Sequence, residues 1–367
     1  MKLAFVADVH VANHQRFGGA MENGLNRRGR EIVATLGAAS KAAKAEGCEG
    51  FVVLGDLFDH TRPTPQLVSA VAAALLAGGL PVVIILGNHD LQSDGRDDHA
   101  CASLGWINGI DIIDRPEVYR GKGNLGDFDL LCVPYAPGLA SEWLPAGLAK
   151  ILPTISGIDR KRVLATHLGI WDDATPPYMK AAKDAVGVGQ VRWLMDAHGI
   201  DLTIAGNWHS AEHWVKPQIV IPGALCPNGF HDIDWRLTGA MIVYDTNGNS
   251  TRKVRIPGPR WITCDGMSPF AANTQTTDAS HLYIRARVRA EDMAQALELR
   301  DSLEASGTAS VSVELAQVPR AAMSTAAREA VAAAGGQLDA AFFTEVEAPG
   351  TREGVARRLA EYRKASQ

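Results

Sequence analysis

Five short stretches of this chain set side chains suited to divalent metals at close spacing. They are Asp8-Val9-His10, Gly55-Asp56-Leu57-Phe58-Asp59-His60, Gly87-Asn88-His89-Asp90, the lone His167, and Gly206-Asn207-Trp208-His209. Carboxylate, imidazole and amide oxygen, with no thiolate among them, make a donor set that fits Mn²⁺ or Fe²⁺ at least as well as Zn²⁺. Alternation along an extended chain puts Asp8 and His10 on one face and turns Val9 away. Asp56 follows a glycine turn, and a carboxylate delivered there can bridge two cations. Asn88 offers a neutral oxygen, His89 can act as an acid near a leaving group, and Asp90 can orient its ring. Each signal alone has a plainer reading. An Asp after a strand caps a helix, Gly-Asn-His-Asp is a turn, and a single histidine is structural. Their recurrence at successive strand ends favours the metal.

The elements that must position these residues are legible in the hydrophobic pattern. The apolar runs 51–54 and 81–86 read as strands buried on both faces of a parallel sheet, and 2–7 as the first strand. Ile32, Leu36, Ala39 and Ala43 lie at helical spacing over 30–45. A second helix, 64–77, has Thr64 as its cap and Pro65 at its first position. Two β-α-β units result, each ending in polar residues at the carboxyl rim, where open α/β sheets hold ligands. Further strands are expected at 127–134, 162–166, 201–205 and 240–244. A short helix is expected at 191–198, and a proline-containing loop, 172–180, is placed to line a substrate groove.

With 367 residues the chain can bury one sizeable core and a smaller second domain. A net charge of −5 excludes a global basic field, so any nucleic-acid contact must come from local patches. Arg16, Arg62 and the run Asn26-Arg27-Arg28-Gly29-Arg30 are such patches; for the run, phosphate contact and a solvated first helical turn weigh equally. Five scattered cysteines read as reduced thiols of a cytoplasmic protein. No signal peptide is expected, since the stretch 1–7 is too short for an apolar targeting core, and no apolar run approaches the roughly 18 residues of a membrane span. After a loop-rich linker, 257–280, a second unit begins. Over 281–290, Ile284, Ala286 and Val288 alternate with Arg285, Arg287 and Arg289, followed by a helix at 291–305 and a strand at 308–315. The three arginines could face a phosphate backbone or form the charged outer face that blunts an edge strand. The tail beyond 321 is alanine-rich and helical in character. Its short stripe Val355, Leu359, Tyr362 reads as packing on the protein's own cap, with partner docking as the alternative.

The five stretches, in this order, resemble the motifs of the calcineurin-like metallophosphoesterases over roughly residues 1–245. The resemblance implies an α/β fold, a β-sandwich flanked by helices with a small C-terminal α+β capping domain, and two divalent metal ions, Mn²⁺ foremost. Carried over, one metal takes Asp8, His10, Asp56 and His209, and the other Asp56, Asn88, His167 and Asn207. At position 207 the family has histidine. Gly55-Asp56-Leu57-Phe58-Asp59 with Arg62-Pro63, and Ile221-Pro222-Gly223-Ala224-Leu225, are most similar to the SbcD-type DNA repair nucleases. That branch implies phosphodiester hydrolysis on DNA, with His89 as acid and Asp90 as its support. Its domains would be a nuclease domain at 1–256, a cap at 281–320 and a helical tail at 321–367. It implies an SbcC-type coiled-coil ATPase as partner and leaves room for a homodimer. No Gly-x-x-x-x-Gly-Lys loop is present, so ATP dependence would come from the partner. The competing readings are a phosphatase or phosphodiesterase on a small nucleotide, and a non-catalytic scaffold of the same fold.

Overall fold

The apolar runs of the N-terminal half are strands buried on both faces, and their alternation shows why. In the computed structural model, Leu3, Phe5, Val52, Leu54, Val83 and Ile85 point into a core shared with a second sheet. Their neighbours Ala4, Val6, Phe51, Val53, Val82 and Ile84 pack instead on the helices Arg27–Ala45 and Pro65–Leu75. The structure describes residues 1–91, 98–120, 128–155, 160–214, 218–230, 239–273, 281–307 and 310–316. The tail, with its packing and docking readings, lies outside them.

Two six-stranded sheets face each other. The first runs Ser250–Arg255, Ala240–Asp245, Lys2–Val6, Gly50–Leu54, Val82–Ile85, Ile110–Ile113. Its last four strands are parallel, and Ala240–Asp245 returns antiparallel to the N-terminal strand, Lys2 opposite Asp245. The second runs Glu212–Trp214, Gln218–Ile221, Leu202–Gly206, Lys161–His167, Phe128–Val133, Glu117–Tyr119, with the two outer strands antiparallel. Helices Ala140–Ile151 and Val188–His198 cover its outer face through Leu144, Leu148, Val191 and Leu194. This is the helix-flanked sandwich the sequence leads one to expect.

Helix Arg27–Ala45 starts a turn earlier than its apolar spacing indicates, because Asn26 caps it by accepting from Gly29 N. Thr64 caps Pro65–Leu75 through Leu67 N, as read. A larger departure is the stretch 257–280. It carries a strand, Arg260–Asp265, and a helix, Met267–Asn273, where a linker was expected. That strand pairs in parallel with Leu282–Val288, which pairs in parallel with Ser310–Leu315. The arginine-bearing strand is therefore the middle of three, and the edge-strand reading of Arg285, Arg287 and Arg289 falls.

The cap has its own core of Cys264, Phe270, Ile284, Val288 and Ala296. On its other face Trp261 and Tyr283 stack at 4.3 Å and meet Phe17 and Phe230 of the sandwich edge-on. The Tyr283 hydroxyl donates to the buried Glu31 carboxylate on the first helix at 2.7 Å. None of the five cysteines forms a disulfide, and all five are buried. Among the described residues, no helix is long and apolar enough to cross a membrane.

Candidate metal centre

All five motifs leave the carboxyl ends of parallel strands, so they share one rim. The two sheets close on each other there: His167 of the second sheet sets Nδ1 2.7 Å from the Leu54 carbonyl oxygen of the first. A side chain on Gly206 would run into that same carbonyl. Gly55, with φ +80°, has no room for one either, because His167 occupies the space. Asp8, His10 and Asp56 each sit at φ 50°, and Asn207 at φ 90°. Left-handed backbone costs on the order of 1–3 kcal/mol per residue, least for Asp, Asn and His. The strain is held by backbone bonds, with Val9 N and His10 N both donating to Asp56 O at 2.9 Å.

The side chains converge as acceptors. The Leu54 carbonyl can only accept, so His167 donates from Nδ1 and a neutral ring presents its Nε2 lone pair inward. That nitrogen lies 3.4 Å from Asp56 Oδ2 and 3.0 Å from Asn88 Oδ1. His10 Nε2 is 3.1 Å from His209 Nε2 and 3.7 Å from Asp56 Oδ2. Asp8, His10 and His209 offer ligand atoms within 4.8 Å of one another, and so do Asp8, Asp56 and His167. Buried acceptors facing acceptors require a cation between them, so the donor set fits two divalent metals, with Asp56 within reach of both. A proton serves where no metal does. Burial pulls the His167 pKa down, yet the charge of Asp56 and the bond to it carry it up to about 10.

This fixes a sign for the metal-free protein. A folded-state pKa raised from 6.5 contributes stability that is full below pH 6.5 and lost as pH rises through about 10. Asp8, raised chiefly by burial, acts in the same direction. The unfolding temperature of chelator-treated protein is expected to fall steadily between these limits. A flat or rising curve would remove His167 as the proton-bearing partner of Asp56. Metal binding displaces that proton and should tighten over the same range.

Asp90 does not orient His89. Its carboxylate is fully buried and accepts from Phe58 N at 3.2 Å, Gly87 N at 3.0 Å and Cys101 Sγ at 3.7 Å. Burial first, then the nearby Asp56 charge, raises its pKa to about 6. It ties the second and third motif loops together. The residue beside the His89 ring is Asp59, whose carbonyl oxygen lies 3.2 Å from Nδ1 and whose Oδ1 lies 4.0 Å away. Asp59 Oδ1 also lies 3.2 Å from His10 Nδ1, and its Oδ2 stands 3.7 Å from His14 Nδ1. The repeated acid in Gly-Asp-x-x-Asp was the available signal for it. His14, whose Nε2 meets the His10 carbonyl at 3.0 Å, had none.

The arginines divide. Arg28 is buried: it donates to Arg16 O, Asn228 O and Asn228 Oδ1 and lies over the Trp261 ring at 4.9 Å. Arg285 donates to Phe230 O and Thr263 Oγ1 and lies over Phe230 at 4.7 Å. Both bind the cap to the sandwich, which corrects their reading as phosphate contacts. Arg27 is half-buried at the helix start, and Arg62 is exposed. The Arg16 and Arg289 side chains are 71% and 78% exposed, Arg287 39%.

A helix-flanked sandwich whose two sheets share one rim of nitrogen and oxygen donors has the make-up of a dimetal phosphoesterase. The chain belongs to the calcineurin-like phosphoesterase family, whose sequence model matches residues 1–211. Among solved structures it is similar to a Thermus thermophilus protein at 13% identity, over 70% of this chain and 99% of that one, with a TM-score of 0.44. A dimetal phosphatase from Danio rerio matches at 15% identity, over 66% and 91% of the two chains, with a TM-score of 0.40.

Proposed function

We propose that the protein is a metal-dependent phosphodiesterase acting on DNA, of the SbcD type. The observation that supports a polyanionic substrate is the crowding of cations where the cap meets the sandwich. Burial, then the neighbouring charges of Arg287 and Arg16, lowers the Arg285 pKa, and Glu314 and Asp265 offset this only in part. Arg287 and Arg289 continue from that point along the cap, and Arg16 follows on the loop that bears His10 and His14; each is paired with an acid, Asp265 at 3.6 Å, Glu291 at 3.4 Å and Glu314 at 3.9 Å. Arg16, Arg287 and Arg289 keep partly to largely exposed side chains, and a phosphate backbone would exchange with their carboxylate partners.

Asp8, His10, Asp56 and His209 would hold one divalent ion, and Asp56, Asn88, His167 and Asn207 the other. Bound there, the pair supplies Lewis-acid charge for a phosphoryl oxygen and lowers the pKa of water, and Mn²⁺ suits the donors. The chain's own part in the reaction falls to His89. Its Nδ1 is held by the Asp59 carbonyl oxygen, so Nε2 is the free nitrogen on a ring 43% exposed, able to protonate the leaving oxygen.

The test is Mn²⁺-dependent hydrolysis of linear duplex DNA beside a nucleoside monophosphate and a small phosphodiester. Cleavage of DNA at the higher kcat/KM is expected; turnover of the monophosphate alone would replace this reading with a nucleotide phosphatase. No turnover with both metals bound would favour the scaffold. Arg287→Ser with Arg289→Ser should weaken DNA binding and lower its salt slope by about 0.9 per lost phosphate contact. Hydrolysis of the small diester should be unchanged in that variant. An unaltered salt slope would take the cap out of the interface.

A further inference from the structure

Asn207 stands where the family places a histidine, and an amide oxygen is a weaker ligand than imidazole for a transition metal. The structure shows what surrounds that amide. Asn207 Nδ2 lies 3.0 Å from Asp184 Oδ2 and 3.5 Å from Asp184 O. Both partners only accept, so the lobe that faces them is the nitrogen, and Oδ1 is turned away from Asp184. The other end of the residue is fixed as well. Its backbone N–H donates to Asp8 Oδ1 at 3.0 Å and Asp8 Oδ2 at 3.1 Å, with φ at 90°.

Asp184 is itself anchored to the metal rim. Its carbonyl oxygen accepts from Gly169 N at 2.9 Å, and it leads into the strand Ala185–Gly187, which pairs in parallel with Gly169–Trp171. Gly169 follows His167 by two residues. One short ribbon therefore ties Asp184 to the backbone that carries His167. Nothing in the local sequence, Lys183-Asp184-Ala185, signals this role.

We infer that Asp184 is a positioning residue for the second metal: it holds the Asn207 amide by its nitrogen and thereby presents Oδ1 as the ligand atom. The inference rests on the dimetal reading of this rim and deepens it. A carboxylate on the N–H side of an amide also draws electron density toward the oxygen, so Asp184 strengthens the donor it orients. It offsets part of what exchanging histidine for asparagine loses. Carboxylates behind ligating groups commonly govern metal affinity by about 10–100-fold.

The experiment is a calorimetric Mn²⁺ titration of the metal-free full-length chain, with the unfolding temperature of the metal-free protein recorded alongside. Wild type should show two sites of unequal affinity. In Asp184→Ala the weaker site should fall by about 10–100-fold while the tighter one, with His10 and His209, is unchanged. Asp184→Asn keeps an acceptor for Nδ2 without the charge and should fall between the two; it also serves if the alanine variant does not fold. Adding Asn207→His to Asp184→Ala should restore the weaker site, because imidazole coordinates through its own ring nitrogen. Equal affinities in wild type and Asp184→Ala would overturn the inference. So would a parallel loss at both sites with a lowered unfolding temperature, which marks a purely structural residue. A wild type that takes up a single ion would instead refute the dimetal reading itself.

Discussion

Replacing His89 by alanine is expected to leave two metals bound and to cut phosphodiester cleavage by about 10²–10⁴-fold, the usual contribution of one positioned acid. The ring lies edge-on to His10 at 4.8 Å and could join Asp59 and His10 around a cation. The metal count is therefore the deciding readout. Two metals with little turnover make His89 the acid; loss of one makes it a ligand. A second readout separates proton transfer from positioning. An aryl diester, whose leaving group departs without a proton, should be cleaved by His89→Ala far better than a diester with an alkoxide leaving group. Equal losses on both would argue that the ring only shapes the site. Asp59→Asn should behave as a milder version, since the Asp59 carbonyl that meets Nδ1 is kept.

The larger effect belongs to Asp56→Asn, which preserves shape and deletes one buried charge. Its Oδ2 faces both His167 and His10, and its Oδ1 accepts from His89 N at 2.9 Å. Both metal positions lose a shared ligand, and activity should drop more than about 10³-fold, in line with several kcal/mol of lost charge stabilisation. The same change removes the cause of the raised His167 pKa. The pH-dependent fall in stability of the metal-free protein should then largely vanish above pH 6.5, the ordinary histidine value. Retention of one metal at wild-type affinity would show that Asp56 serves a single position.

The metal rim was legible because its residues follow apolar strands, and an apolar run ending in Gly-Asp or Gly-Asn-His reads directly as a sheet edge. Residue roles within a motif were less legible. Asp90 follows His89 in sequence, yet its side chain turns inward to backbone donors on two loops, while Asp59, thirty positions away, lies beside the ring. Adjacency along the chain says nothing about direction once a loop has turned. The arginines show the same limit. Arg28 and Arg285 carry full charges and look like surface, but Arg28 is absorbed by the Trp261 ring of the cap and the Asn228 carbonyl of its own unit, and Arg285 by the ring and carbonyl of Phe230 in the sandwich. The strand Arg260–Asp265 was missed because its burial, mostly partial or exposed, lacks a clean apolar run. Its partner strand supplies what its own pattern does not.

The N-terminal strand lies in the interior of the first sheet, between Gly50–Leu54 and the returning strand Ala240–Asp245. Synthesis delivers it before both neighbours, and the second of them about 240 residues after it. At about 5–20 residues per second, the ribosome needs roughly ten to fifty seconds to reach Asp245 after Lys2. Throughout that interval one edge of Lys2–Val6 offers unpaired backbone groups beside apolar side chains, the feature that recruits foreign strands. This exposure follows from the order of synthesis and is independent of the stability of the finished sandwich. A nascent chain stalled before residue 240 should bind chaperones that one stalled well after 255 does not.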